Sequence, residues 1–301
     1  MANTTYSLAK AVALTDYQPA FCSAEQYQDW NWGQLVTKKT TNRATEQVFS
    51  YTGLPVARQT GQLQDVYYAS MAELAATTWT ISKFTLATLF SYELMEDNQH
   101  LPDLMKQAGS AMGESHAFAR DVANAALYNR AFNSSYTMYD GVELCGSHTM
   151  HDGTAYSNKL TAASISYDSL WLMLNHFETD LISHSGIYLR DKPKFLIYHP
   201  SKEKQVRAIL ESTLEPGTAD NDKNTIKSYG LTPVPCRHLT TSTNWFVAGS
   251  RWPSSVWFFT SDSVKRATKD DFDRMGMKIR THQRFAVGAK EFIYIVGNEG
   301  A

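Results

Sequence analysis

The spacing of apolar positions changes period several times along the chain. Residues 1–47 are polar, rich in Thr and Gln and weakly periodic, yet they carry Tyr17, Phe21, Tyr27, Trp30 and Trp32. Large aromatics on a segment with so few other apolar residues either dock on another surface or pack on the chain's own body. From Val48 to Thr85 the pattern is extended. VFSYTGLPVARQTGQLQDVYYAS is punctuated by Gly53, Pro55 and Gly61, and TTWTISKFTL, rich in β-branched and aromatic residues, follows. Turn residues between two such runs predict a long hairpin. It has too few apolar residues to bury itself, so a neighbouring domain or another subunit must support it.

A helical period then takes over. From about 98 to 132, Leu104, Ala108, Met112, Ala119, Val122, Ala123, Ala126 and Leu127 recur at helical spacing, with Pro102 and Asp103 suited to a first turn. About 35 residues at 1.5 Å each make a rod of roughly 50 Å, long for a compact globule. Its stripe of Ala and Gly permits close approach by another element. Residues 139–158 form a loop crowded with Gly, Asp, Ser and His, and a second helix is predicted from about Tyr167 to Ser183, with Ser166 or Asp168 near its start. PKFLIYHP reads as a buried strand, SKEKQVRAILES as a short amphipathic helix and EPGTADNDKNTIKSYG as an exposed loop, which suggests a separate α/β subdomain. The remainder, with WFVAG, VWFF, MGMKIRTHQRFAVGA and EFIYIVGN, is strand after strand.

Composition narrows the function. Lys and Arg number 28 against 30 Asp and Glu, a formal net charge of −2, which excludes a generally basic nucleic-acid binder. Charged residues are only 19% of the chain and aromatics 12%, so something other than water is expected to cover part of the surface. The three cysteines, Cys22, Cys145 and Cys236, are odd in number and far apart, which argues for a reducing compartment rather than a disulfide framework. The apolar stretch 11–14 is too brief for a signal-peptide core, and the longest apolar runs, 170–174 and 292–296, fall short of the roughly 18 residues a bilayer requires. A cytosolic protein, or one released by lysis, is expected.

Candidate chemistry is thin. Cys145, His148 and His151 have the spacing C-x2-H-x2-H, but no fourth ligand stands at a recognisable spacing, and the plainer reading is a hydrogen-bonded loop. A Cys145 nucleophile with a His148 base lacks an orienting partner in the sequence. There is no GxxxxGK[ST], GxGxxG, G-x-S-x-G or H-E-x-x-H. Glu96 and Asp97 read as acids favouring the start of the long helix. Lys265, Arg266 and Lys269 stand beside Asp262, Asp270, Asp271 and Asp273, so they read as a solvated face unless the fold separates the two signs. No cofactor or metal is expected, and no enzymatic activity.

The order of elements resembles the major capsid protein family of tailed bacteriophages, whose fold is shared with encapsulins. KFTLATLFSYELMEDN looks like the family's step from a strand into Ser-x-Glu-Leu-x-x-Asp, here Ser91, Glu93, Leu94 and Asp97. Asp140, Gly141, Leu144, Ser147, His148, Gly153, Ser157 and Asn158 stand where the family has its Asp-Gly, Leu, Ser-x-His and Ser-Asn positions. PKFLIYHPSKEKQVRAILES, TNWFVAG and DDFDRMGMKIRTHQRFAVGAKEFIYIVGNEG are similar to the later strands and helix of such proteins.

The resemblance implies an α+β capsid fold with an N-terminal arm (1–47), an extended β-hairpin loop (48–85), a peripheral domain on the long helix (86–158), an axial domain (159–245) and closing strands (246–301). It implies self-assembly into hexamers and pentamers of an icosahedral head around double-stranded DNA, contacted non-specifically, with portal, scaffolding and decoration proteins as partners and no membrane. A near-neutral chain cannot condense a genome by overall charge, so the shell is expected to be built empty and then filled. Trp30 and Trp32 would anchor on an adjacent copy, Tyr51, Leu54, Pro55 and Val56 would lie across a neighbour, and Asp220, Asn221, Asp222 and Lys223 would line the ring centre. The alternatives are an encapsulin-like compartment and, more distantly, a soluble Cys/His enzyme.

Overall fold

A computed structural model describes residues 15, 17–27, 30–97, 100–216, 222–261, 264–271 and 273–301. Its helices in chain order are α1 over residues 17–25, α2 (Tyr92–Asp97), α3 (Leu101–Asn129), α4 (Tyr167–Thr179), α5 (Glu203–Glu211) and α6 (Trp252–Ser255). The strands are β1 (Thr37–Thr40), β2 (Thr45–Val48), β3 (Thr77–Thr80), β4 (Ser82–Ser91), β5 (Ser147–Thr149), β6 (Ala155–Ser157), β7 (Pro193–Tyr198), β8 (Thr232–Pro235), β9 (Trp245–Gly249), β10 (Val256–Thr260), β11 (Lys265–Asp271), β12 (Gly276–Ala289) and β13 (Ile295–Asn298).

The long helix α3 spans 29 residues, shorter than the predicted 98–132, and α2 precedes it as a separate element. Glu96 and Asp97 therefore close α2 rather than open α3, and the macrodipole reading is corrected. Pro102 and Asp103 do occupy the first turn of α3. Gly109 and Gly113 lie one turn apart and let α1 approach the α3 backbone closely. A Cβ at Gly109 would meet the Tyr17 carbonyl oxygen, and one at Gly113 the Phe21 carbonyl oxygen. The Tyr17 hydroxyl donates to Met112 Sδ at 3.2 Å, and Arg120 pairs with Glu25 at 3.3 Å.

Of the N-terminal aromatics, Tyr17, Phe21, Trp30 and Trp32 thus belong to the chain's own core, while Tyr27 is exposed. Trp30 and Trp32 are 4% and 1% exposed, which corrects their expected role as anchors on a neighbour. The Trp32 indole N–H donates to Asp121 Oδ1 at 2.5 Å and that of Trp30 to the Asp121 carbonyl at 3.3 Å, while the Trp30 ring stands edge-on to Tyr128. The Ala-rich stripe of α3 leaves room for two indoles, and Asp121 supplies the acceptors that buried N–H groups require.

One sheet has the order β1-β10-β12-β11, with β4 on the other side of β12; β1 runs parallel to β10 and every other pair is antiparallel. β12 alternates buried and exposed positions, and its buried Met277 and Ile279 join Phe90, Met105 and Met112 in a core cluster against α1 and α3. A second sheet has the order β13-β9-β7-β8. Its strand β7 is buried almost throughout, and Leu170, Leu174 and Phe177 of α4 and Val206 of α5 join its residues in the main core. Ser166 caps α4 with a reciprocal hydrogen bond to Ser169. The division drawn at 245/246 falls inside β9. Because β9 pairs with β7, and β13 with β9, the closing segment completes the sheet begun at residue 193.

Candidate functional site

Residues 49–76 leave the body as a ribbon. Its base is the antiparallel pair β2–β3, and pairing continues through Leu74 N–H to the Ser50 carbonyl at 2.8 Å, Thr52 N–H to the Ala72 carbonyl at 3.0 Å and a bridge between Tyr51 and Glu73. Beyond this the ladder stops. The predicted hairpin is therefore regular only at its root, and half of its second run, residues 82–86, becomes part of β4 of the main sheet. Gly53, with φ of 78°, and Pro55 interrupt pairing at the point where it ends. The tip is a turn in which Gly61 N–H donates to Gln64 Oε1 at 2.9 Å, with Leu63 in the left-handed region at φ 64°. Such a backbone costs a branched residue about 1 kcal/mol or more.

Among the ribbon's side chains are many large apolar ones left exposed. Tyr51, Leu54 and Val56 are exposed, as the sequence reading required, and so are Leu63, Val66, Tyr67, Tyr68 and Met71, which it did not single out. Leu63 is fully exposed and Tyr68 is 89% exposed. Their signal in the sequence was the run Leu63-Gln-Asp-Val-Tyr-Tyr, apolar without a partner run. Arg58, stacked 4.1 Å from the Tyr67 ring, braces the ribbon internally, and the Ser185 hydroxyl, donating to the Leu54 carbonyl at 3.3 Å, and the Ser50 hydroxyl, donating to the Lys290 carbonyl at 3.4 Å, tie its root to the body. This arrangement offers apolar area that a partner can remove from water.

The ribbon's root is clamped by aromatics. Trp79 on β3 packs against both Trp257 and Phe259 of β10, with ring centroids at 6.2 and 5.5 Å, and covers the backbone of Gly288 on β12. Lys39 lies 3.2 Å from the Trp257 centroid. Val48, Ile81 and Phe259 form the small core beneath.

The loop 139–158 holds its Cys and His residues apart from one another. His148 Nδ1 lies 2.6 Å from Asp140 Oδ2, and its ring stacks on Phe292 with centroids 3.6 Å apart. Cys145 is buried beside Phe132 and Gly297, and burial pushes its thiol pKa well up, so it is a poor nucleophile. His151 is exposed. Among the described residues no group of His, Cys, Asp and Glu is placed to hold a metal ion, and no helix is long and apolar enough to cross a membrane. Asn158 is the loop's centre: its amide donates to the carbonyls of Leu144 at 2.8 Å and Phe292 at 3.0 Å and accepts from Gly146 N–H at 2.9 Å. Asp222 and Lys223 are exposed on the loop after α5, while Asp220 and Asn221 lie outside the described residues.

A family model described as phage capsid protein matches residues 74–298. No curated protein matches the chain. Among solved structures, the capsid of the cyanophage P-SCSP1u is similar at 11% identity and a TM-score of 0.63, over 91% of this chain and 89% of that one. The capsid of a native GTA particle has 8% identity and a TM-score of 0.60, over 90% and 89%. A virus-like particle from Pyrococcus furiosus has 10% identity and a TM-score of 0.55, over 94% and 98%. At these identities the likeness is one of fold.

Proposed function

The chain belongs to the phage capsid protein family, and we propose that its copies, as hexamers and pentamers, close the icosahedral head of a tailed phage around double-stranded DNA. It is a structural capsid protein that forms a shell, and its partner in that shell is first of all itself. Under this reading portal, scaffolding and decoration proteins complete the particle, which assembles in the host cytoplasm and ends as the virion capsid.

The observation that carries the proposal is the ribbon. Burying one of Leu54, Val56, Leu63 or Met71 contributes about 1.5–3 kcal/mol, so the four together give on the order of 6–12 kcal/mol. Association itself costs about 4–15 kcal/mol, so one ribbon contact is weak and correctable, and closure multiplies it. Asp222 and Lys223 keep the loop after α5 charged where copies would meet around a ring axis.

Deletion of residues 52–64 tests the proposal. The expected product is a folded, soluble subunit or ring that forms no closed particles by negative-stain electron microscopy. Particles of normal size from the deleted chain would overturn the role of the ribbon.

A further inference from the structure

The sheet β4-β12-β11 sorts its charges by face. In an antiparallel ladder, residues directly opposite one another point to the same side. Register places Lys83 opposite Arg284 and Ala87 opposite Arg280 on one flank of β12, and Lys265 opposite His282 and Lys269 opposite Lys278 on the other. One face therefore carries Lys83, Lys265, Lys269, Lys278, Arg280 and Arg284, with Asp271 bound to Lys278 at 2.5 Å. The opposite face carries Met277, Ile279 and Phe90 toward the core. Arg266 turns to that side and stacks over Phe21 at 5.1 Å. The basic residues that the sequence interleaves with aspartates at 262–273 are thereby partly separated by the pleat. Asp270 stands opposite Met277, on the core side.

Two features make this face more than a solvated surface. Lys83 with Arg284, and Lys269 with Lys278, are like charges directly opposite across strands, an arrangement that destabilises a sheet. Among the described residues no carboxylate lies within ion-pair distance of Lys83, Lys269, Arg280 or Arg284, so the repulsion between Lys83 and Arg284 is not locally offset, and in the other pair only Lys278 has an acid, Asp271, beside it. The effect reaches His282 on the same face. Burial first, and then the charges of Lys83, Arg280 and Lys265, hold its pKa below the ordinary imidazole value.

We infer that this face is a contact surface for the phosphate backbone of double-stranded nucleic acid and looks into the lumen of the shell. The inference rests on the shell reading and gives its nucleic-acid contact a place. Cations about 4.8 Å apart between strands and 6.8 Å apart along them make a flat lattice of positive charge, matched to a polyanion rather than to a small ligand. Over residues 276–284 of β12 and the strand positions opposite them the face presents no Phe, Tyr or Trp, the aromatics Phe259 and Trp257 standing farther along it opposite Ala286 and Gly288, so its cationic part has no platform on which unpaired bases stack, which favours duplex over single strand. A net charge of −2 conceals it, because among the described residues of this face only Asp271 is acidic.

The test is fluorescence anisotropy of the full-length protein with a labelled 30-base-pair duplex of arbitrary sequence, titrated from 50 to 200 mM NaCl. If six cations engage phosphates, log K falls against log salt with a slope of about −5; Lys269→Gln/Arg280→Gln/Arg284→Gln should bring it to about −3. The single variant Lys269→Gln should reduce the slope by about one, so the result does not depend on the triple variant folding. Lys204→Gln/Arg207→Gln/Lys223→Gln makes the same charge change elsewhere and should leave the slope alone. An unchanged slope in the Lys269 variants overturns the inference, as does preferential displacement of the duplex by a polyglutamate peptide, which would mark an acidic protein partner. Failure of the shell reading is visible separately, as absence of particles from the wild-type chain by electron microscopy.

Discussion

The indole of Trp79, at the root of the ribbon, covers the backbone of Gly288 so closely that no Cβ fits between them. A residue on β3 thus fixes the direction in which the ribbon leaves the body by resting on a single glycine of β12. Gly288→Ala forces Trp79 out of its place against Trp257 and Phe259. The expected cost is about 1–3 kcal/mol in urea unfolding, with particle yield falling more steeply than stability. Equal losses of the two would mean that the clamp does not aim the ribbon.

Leu63 presents the opposite balance. Its left-handed backbone is strained and its side chain touches nothing in its own chain. Leu63→Gly should stabilise the soluble subunit by up to about 1 kcal/mol, because glycine adopts that conformation without penalty. The same change should raise the critical concentration for assembly at least tenfold, through loss of about 1.5–3 kcal/mol of burial per contact. Light scattering against protein concentration checks the second half, and denaturant midpoints the first.

Asn158 holds three backbone groups of the loop 139–158 and of the segment at Phe292. Asn158→Ala leaves those groups buried without partners, at a cost of roughly 2–4 kcal/mol. Urea unfolding should register the loss, and a change under 1 kcal/mol would mean that water replaces the amide.

Acid should weaken the subunit. His116 and His176 both have pKa values lowered, in each case chiefly by burial. The unfolded chain, with imidazoles near pKa 6.5, binds protons before the folded one does. Stability is therefore full above about pH 6.5 and falls as pH drops below it, toward the folded values. Urea midpoints at pH 7.5 and 5.5 measure the fall, and His176→Gln should flatten it. A midpoint that rises on acidification would reverse the sign of the argument.

The thiols separate the shell from a cysteine enzyme. Cys22 is exposed, whereas Cys145 and Cys236 are buried. Native protein should react with a thiol reagent once per chain, at Cys22, and at all three cysteines only when denatured. Rapid reaction at Cys145 in the native protein would revive the nucleophile reading. Cys145→Ser should leave assembly largely intact.

Much of the fold is legible along the chain because it depends on local spacing. The i, i+3, i+4 recurrence marks α3, the capping position of Ser166 marks α4, and the unbroken apolar run of PKFLIY marks β7. The ribbon is legible as a deficit, a long extended stretch without enough apolar residues to bury itself. The motif residues Asp140, Gly141, His148, Gly153 and Asn158 are also visible, but their work is structural. Asp140 orients His148, Asn158 ties the loop, and Gly141 and Gly153 take φ of 80° and 87° at its turns.

The sequence by itself determined the order of elements, the capsid-like succession of arm, ribbon, long helix and sheets, and the need of the ribbon for a partner. Tertiary structure alone decided where Trp30 and Trp32 go, since nothing near them in sequence reveals that Asp121, some ninety residues on, waits with their acceptors. It alone decided that Lys265 and Lys269 share a face with Lys83, Arg280 and Arg284, because the side of a sheet a charge occupies is set by register against strands far away in the chain. Periodicity is a local property and survives in one dimension. Partnership across strands is not, and it appears only when the chain has closed upon itself.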